Sequence, residues 1–114
     1  MKLIIKDTET EIAKDVKLAK SFSDRLIGLM FVNEMKGFDA LIIEPCRSIH
    51  NFFVRFSIDA VFVDRNMKVV KILRDFKPWS VSGIYFRAHK VIELKAGQAP
   101  SELKVGDLLE VRDV

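Results

Sequence analysis

IDAVFVDRNMKVVKIL, residues 58–73, is the stretch that decides the fold. Ala60, Val61, Phe62 and Val63 are apolar at successive positions, so a strand here turns apolar side chains to both of its faces. Such a strand sits inside a sheet that is covered on both sides. Arg65, Asn66 and Met67 interrupt the run, and Asn66 suits the left-handed position of a tight turn. Residues 58–64 and 68–73 are therefore expected to form an antiparallel hairpin.

Outward from that hairpin the chain continues in short β segments. Residues 2–6 form a β-branched opening strand. Residues 11–19 alternate, with Ile12, Lys14, Val16 and Leu18 on one parity, as a half-buried strand does. The two pair through residues 7–10. Residues 21–30 are the best helix, with Ser23 and Asp24 as cap and Leu26, Leu29 and Met30 at helical spacing. Gly28 inside it costs about 1 kcal/mol. Residues 39–44 form a strand ended by Pro45. DFKPWSVSGIYFR, residues 75–87, lacks periodicity and reads as a loop folded over a sheet edge or rimming a partner surface with Trp79 and Tyr85. Residues 90–94 and 107–111 are the last strands, with turns at Gly97 and Gly106. The expected fold class is α+β, mainly β. It is a single small domain over residues 1–114, with a barrel-like or strongly curved, mostly antiparallel sheet and one short helix near residues 21–30.

Composition agrees with one globular domain. The chain has 114 residues, 49% hydrophobic and 31% charged, enough to bury about two-thirds of its unfolded surface. The net charge of +3 comes from 19 basic and 16 acidic residues with the signs interspersed, which permits an anionic partner without demanding one. One cysteine excludes an internal disulfide and suits a reducing compartment. The opening MKLIIKDTETEI lacks the apolar run of a signal peptide, and no segment approaches the roughly 20 apolar residues of a membrane helix. A soluble, cytoplasmic protein with no membrane association is expected.

CRSIHNFFVRFSID, residues 46–59, mixes Cys46, His50, Asn51, Arg55 and Asp59 into an apolar run. In order along the chain, RLIGLM (25–30), SIHNFFVRFSID (48–59), VFVD (61–64), VIEL (91–94) with Ala96-Gly97, and VGD (105–107) resemble the elements of the family catalogued as domain of unknown function 192. Asn51, Val54 and Ser57 stand where the family pattern has Thr, Met and Pro. The resemblance covers nearly the whole chain. It implies a small β-rich domain and no settled biochemical role.

Three chemistries can be weighed on this segment. Cys46 and His50 could form a nucleophile–base pair of a hydrolytic or thiol-dependent enzyme, since both extended and helical geometries bring them near each other. No third orienting group is evident. One Cys and two His without paired spacing do not make a zinc site, so no metal and no cofactor is expected. The favoured reading is a binding or accessory module with a polar pocket around His50, Asn51, Arg55 and Asp59, joined by Arg25, taking a small anionic ligand or a protein partner. The same polar set could instead be structural, with Arg55 and Asp59 paired. Phe52, Phe53, Phe56, Trp79, Tyr85 and Phe86, interleaved with Arg47, Arg55, Arg74, Lys77 and Arg87, make a single-stranded nucleic-acid binder the weaker alternative.

Overall fold

A computed structural model describes residues 1–19, 35, 37–51 and 54–113. Within them lie eight strands, β1 Lys2–Ile5, β2 Thr10–Ala13, β3 Val16–Ala19, β4 Ala40–Ile43, β5 Ile58–Val63, β6 Val69–Phe76, β7 Lys90–Lys95 and β8 Leu109–Arg112. They form a three-stranded sheet, ordered β2-β1-β8, and a five-stranded sheet, ordered β3-β4-β7-β5-β6. All pairings are antiparallel except β3 with β4. The helix expected over residues 21–30 lies outside the described residues.

The hairpin forms as its sequence dictates. All six residues of β5 are buried, because β5 is an interior strand between β6 and β7. Val61 and Val63 face one core, and Ile58, Ala60 and Phe62 face another. The turn differs in detail: Met67, not Asn66, takes the left-handed conformation, at φ 64°. The Asp64 carboxylate explains the shift, since it accepts the N–H groups of Asn66 and Lys68 and fixes the turn one residue later. β6 also runs on to Phe76, three residues beyond the expected Leu73.

The segment 11–19 is not one strand. The Asp39 carboxylate accepts the N–H groups of Lys14 and Asp15, which takes those groups out of any ladder. The chain leaves the small sheet as β2 and enters the large one as β3, parallel to β4. The face turned inward changes with it, so Ala13 and Ala19 are buried while Leu18 is 39% exposed. This break also corrects the barrel expectation. Among the described residues no ladder closes the two sheets into a barrel. They share one apolar core and join at corners, by the bridge of Lys68 with Leu108 and the backbone bonds of Met67 and Val69 with Gly106, Asp107 and Leu109 around it, and by the Val16 N–H donating to the Met1 carbonyl.

That shared core is shut at one end by two charged side chains acting on backbone. Asp59 is 1% exposed, and its carboxylate accepts the N–H groups of Asp75 (2.9 Å), Gly97 (3.0 Å) and Ala99 (3.0 Å). Arg74 donates to the carbonyls of Ala99 (2.9 Å), Pro100 (2.9 Å) and Leu103 (3.2 Å). The segment 97–103 is thereby held over the core, with Ala99 and Leu103 buried in it. Removing the Asp59 carboxylate leaves three N–H groups without their acceptor, and one of them, at Ala99, is buried. Asp59→Ala should lower the unfolding free energy by about 3–5 kcal/mol. Asp59→Asn, which keeps one acceptor, should cost less. A loss under about 1 kcal/mol in urea unfolding of Asp59→Ala would show that water takes over these bonds.

Candidate functional site

Residues 46–51 and 54–57 lie over the large sheet on the face away from the small one, where Ile49 and Val54 enter the second core. A second segment, residues 79–85, runs antiparallel beside them. Ser80 and Asn51 join through the Asn51 N–H, and the Asn51 carbonyl accepts from Trp79. The Ser82 N–H reaches the Ile49 carbonyl, the Tyr85 N–H reaches the Arg47 carbonyl, and the Ser82 hydroxyl accepts from Ile49 N–H. His50 lies directly opposite Val81. Residues directly opposite in an antiparallel pair share a face, so the exposed His50 and the 65% exposed Val81 point outward together.

The polar residues expected to converge on one pocket divide into two kinds. Asn51 is fully buried. Its side-chain amide donates to the carbonyls of Phe76 (3.1 Å) and Phe56 (3.4 Å), and its Oδ1 has no hydrogen-bond partner among the described residues. Asp59 faces the shared core on the other side of β5 and binds backbone, so it does not make the expected pair with Arg55. His50 and Arg55 are at the surface. Arg25 lies outside the described residues, as do Phe52 and Phe53. Arg74, one of the cations of the single-stranded nucleic-acid alternative, is committed to backbone carbonyls.

Cys46 is half-buried, and its thiol donates to the Ser48 carbonyl at 3.1 Å. Burial, with the charge of nearby Glu93 adding to it, pushes the thiol up to about 11. At neutral pH the sulfur is a thiol rather than a thiolate, which does not suit a nucleophile. His89 Nε2 lies 3.0 Å from Glu44 Oε2, and the His89 carbonyl accepts the Cys46 N–H at 2.9 Å. Among the described residues no group of three His, Cys, Asp or Glu is placed to hold a metal ion.

Glu93 is the polar residue that sequence reasoning passed over. It sits mid-strand in β7, its ladder partners are Leu41 and Ala60, and like them it faces the second core. It is 5% exposed, and burial pushes its carboxyl up to about 7. The signal was present in the sequence: Val91, Ile92 and Leu94 are apolar on both parities, which makes the strand buried and the glutamate with it.

The chain belongs to the family DUF192, described as Uncharacterized ACR. The family profile matches residues 3–111. Among curated relatives, the UPF0127 protein PH1112 of Pyrococcus horikoshii is 37% identical over 82 residues, which are 69% of this chain and 70% of that protein. The UPF0127 protein PF1050 of Pyrococcus furiosus is 31% identical over 106 residues, 88% of this chain and 89% of the relative. A crystal structure of a protein of unknown function from Novosphingobium aromaticivorans DSM 12444 superposes with a TM-score of 0.82 at 20% identity, over 97% of this chain and 84% of that one. At that identity the likeness concerns the fold alone. No helix among the described residues is long and apolar enough to cross a membrane.

The Glu93 carboxyl gives the site a pH signature. Its folded-state pKa lies above its ordinary value, so the native state holds a proton that the unfolded chain has released. Stability therefore falls as pH rises from about 4.5 to about 7 and is level above that window. Glu93→Gln should flatten this slope and raise stability near pH 8 by on the order of 2 kcal/mol, read by urea unfolding across pH. An unchanged slope in the variant would remove Glu93 as its source.

Proposed function

We propose that the protein is a non-enzymatic binding module that recognises an acidic partner, a peptide or protein surface carrying apolar side chains, through the surface formed by residues 46–51, 54–57 and 76–89. The observation that carries this reading is Trp79. It is 62% exposed and yet holds a left-handed backbone at φ 65°, a conformation costing a bulky L-residue about 1 kcal/mol or more. The Asn51 carbonyl, from a buried residue, holds its N–H. An exposed indole on a strained and pinned backbone is preorganised for contact rather than merely uncovered.

Its surroundings fit such contact. Val81, Ile84 and Phe86 are 65%, 61% and 77% exposed, so the same short segment offers an apolar strip. These segments contribute Arg47, Arg55, Lys77 and Arg87, and of these Lys77 is paired with the adjoining Asp75 at 2.6 Å. A cationic rim around exposed aromatic and branched residues complements acidic, apolar chains. In this reading His50 and Arg55 meet the partner, while Asn51 and Asp59 hold the scaffold. A soluble, cytoplasmic setting and a ligand without a metal or cofactor remain part of the same proposal. The elevated Cys46 thiol gives the enzymatic alternative no support.

An array of acidic peptides bearing Leu or Phe, with an oligothymidylate as competitor, tests it. Arg55→Glu and Trp79→Ser should each weaken peptide binding by about tenfold or more while the melting temperature stays near that of the parent. Equal binding by parent and variants overturns the proposal. Displacement of every peptide by the oligothymidylate at lower concentration would assign the face to single-stranded nucleic acid instead.

A further inference from the structure

The shared core between the sheets is closed by Asp59 and Arg74 at the end where β7 finishes. At the end where β7 begins it is open. A pocket of about 170 Å³ lies there, lined by Leu18, Ile42, Glu44, Met67, Lys90 and Val111. These residues come from both sheets and from the β5–β6 turn, so the pocket is the mouth of the inter-sheet space rather than a groove on one surface. Such mouths are places where β-rich folds take small ligands.

Strand parity explains its chemistry. Lys90 follows the same parity as Ile92 and Leu94, and Glu44 the same parity as Ala40 and Ile42, all of which point into the shared core. Two apolar columns thus end in a charged residue at the opening. Both charged side chains are largely shielded, Lys90 at 22% and Glu44 at 27% exposed. The lysine is nonetheless loosely held. Its Nζ lies 3.6 Å from Glu44 Oε2, longer than an ordinary N–H···O bond, and its other contact, at 3.9 Å, is to the weak acceptor Met67 Sδ. The same Glu44 oxygen already lies 3.0 Å from His89 Nε2. An ammonium with three donors, removed from most of its water, is left with only long contacts among the described residues.

We infer that this mouth binds a short-chain monocarboxylate, its tail among Leu18, Ile42, Met67 and Val111 and its head on Lys90. The volume sets the size: a cavity of about 150 Å³ holds a benzene ring, so a tail of about four to six carbons fits. The head follows from the donor. A carboxylate accepts the two N–H groups that Glu44 does not engage and supplies the short charge-assisted bonds the lysine lacks. Lys90 turns away an ammonium head by like charge, while Glu44 Oε2, 3.0 Å from His89 Nε2 and 3.6 Å from Lys90 Nζ, is the anion beside which the ligand carboxylate must sit. This site is separate from the face proposed above, and either can fail without the other.

Hexanoate, hexanol and hexylamine are the probes, followed by the methyl resonances of Leu18, Ile42 and Val111 in the full chain. Hexanoate should give saturable shifts at all three and bind at least about tenfold more tightly than the other two. Lys90→Met should bring hexanoate down to the level of hexanol while hexanol binding persists, which separates loss of the head contact from loss of the pocket. Leu18→Trp, at a lip position that is 39% exposed, should weaken all three probes. No saturable shift with hexanoate up to about 50 mM, equal affinity for the three heads, or unchanged hexanoate affinity in Lys90→Met overturns the inference.

Discussion

The Asp59 carboxylate, buried and bound by three backbone N–H groups, is the interaction on which the rest of this architecture depends. It ties together the end of β6, the turn after β7 and the segment that covers the shared core. Gly97, at φ 87°, supplies the left-handed turn that aims its N–H at the carboxylate. Arg74 grips the same covering segment from its carbonyl side, so the Ala99 residue has its N–H on an anion and its C=O on a cation. A charge taken out of water is tolerable when its lone pairs are filled this way. With one end fixed by side chains that bind backbone, the two sheets need no continuous ladder to stay apposed.

Asn51 plays a corresponding part on the opposite face. Its backbone and side chain together contact residues 56, 76, 79 and 80, so one buried amide sets the path of the loop that exposes Trp79. Gln98 works similarly, donating to the carbonyls of Ile12 and Asp39 and so linking β2 to the approach of β4. The small domain is thus fastened by buried or half-buried polar side chains that capture backbone groups from distant segments.

This fastening explains what the sequence could convey. The β5–β6 hairpin was legible because its signal is local: unbroken apolar parity, then a turn. β4 before Pro45 and the turns at Gly97 and Gly106 were legible for the same reason. The break between β2 and β3 was not, because the carboxylate that causes it comes from Asp39, 24 and 25 residues away. The role of Asp59 was hidden likewise, its donors lying 16, 38 and 40 residues distant. Arg74, read as a surface cation, reaches carbonyls 25 to 29 residues on. Sequence spacing suggested an Arg55–Asp59 pair from four residues of separation, but a strand sends its neighbours' faces by parity and its caps by tertiary path. Only the latter decided Asp59.

The family resemblance gains physical content from these positions. SIHNFFVRFSID holds His50 and Arg55 at the surface beside Asn51 and Asp59 in the interior, so a single motif carries recognition candidates and scaffold fasteners in alternation. At position 51 the family pattern has Thr, whose one hydroxyl can donate to only one carbonyl. Asn51 donates to two, at Phe76 and Phe56, and in exchange buries an Oδ1 without a partner among the described residues. The gain is a loop pinned at two points rather than one, and that second point lies just before the segment carrying Trp79. A substitution in the interior thereby bears on the rigidity of the exposed face, which is where a binding module draws its affinity from preorganisation rather than from area.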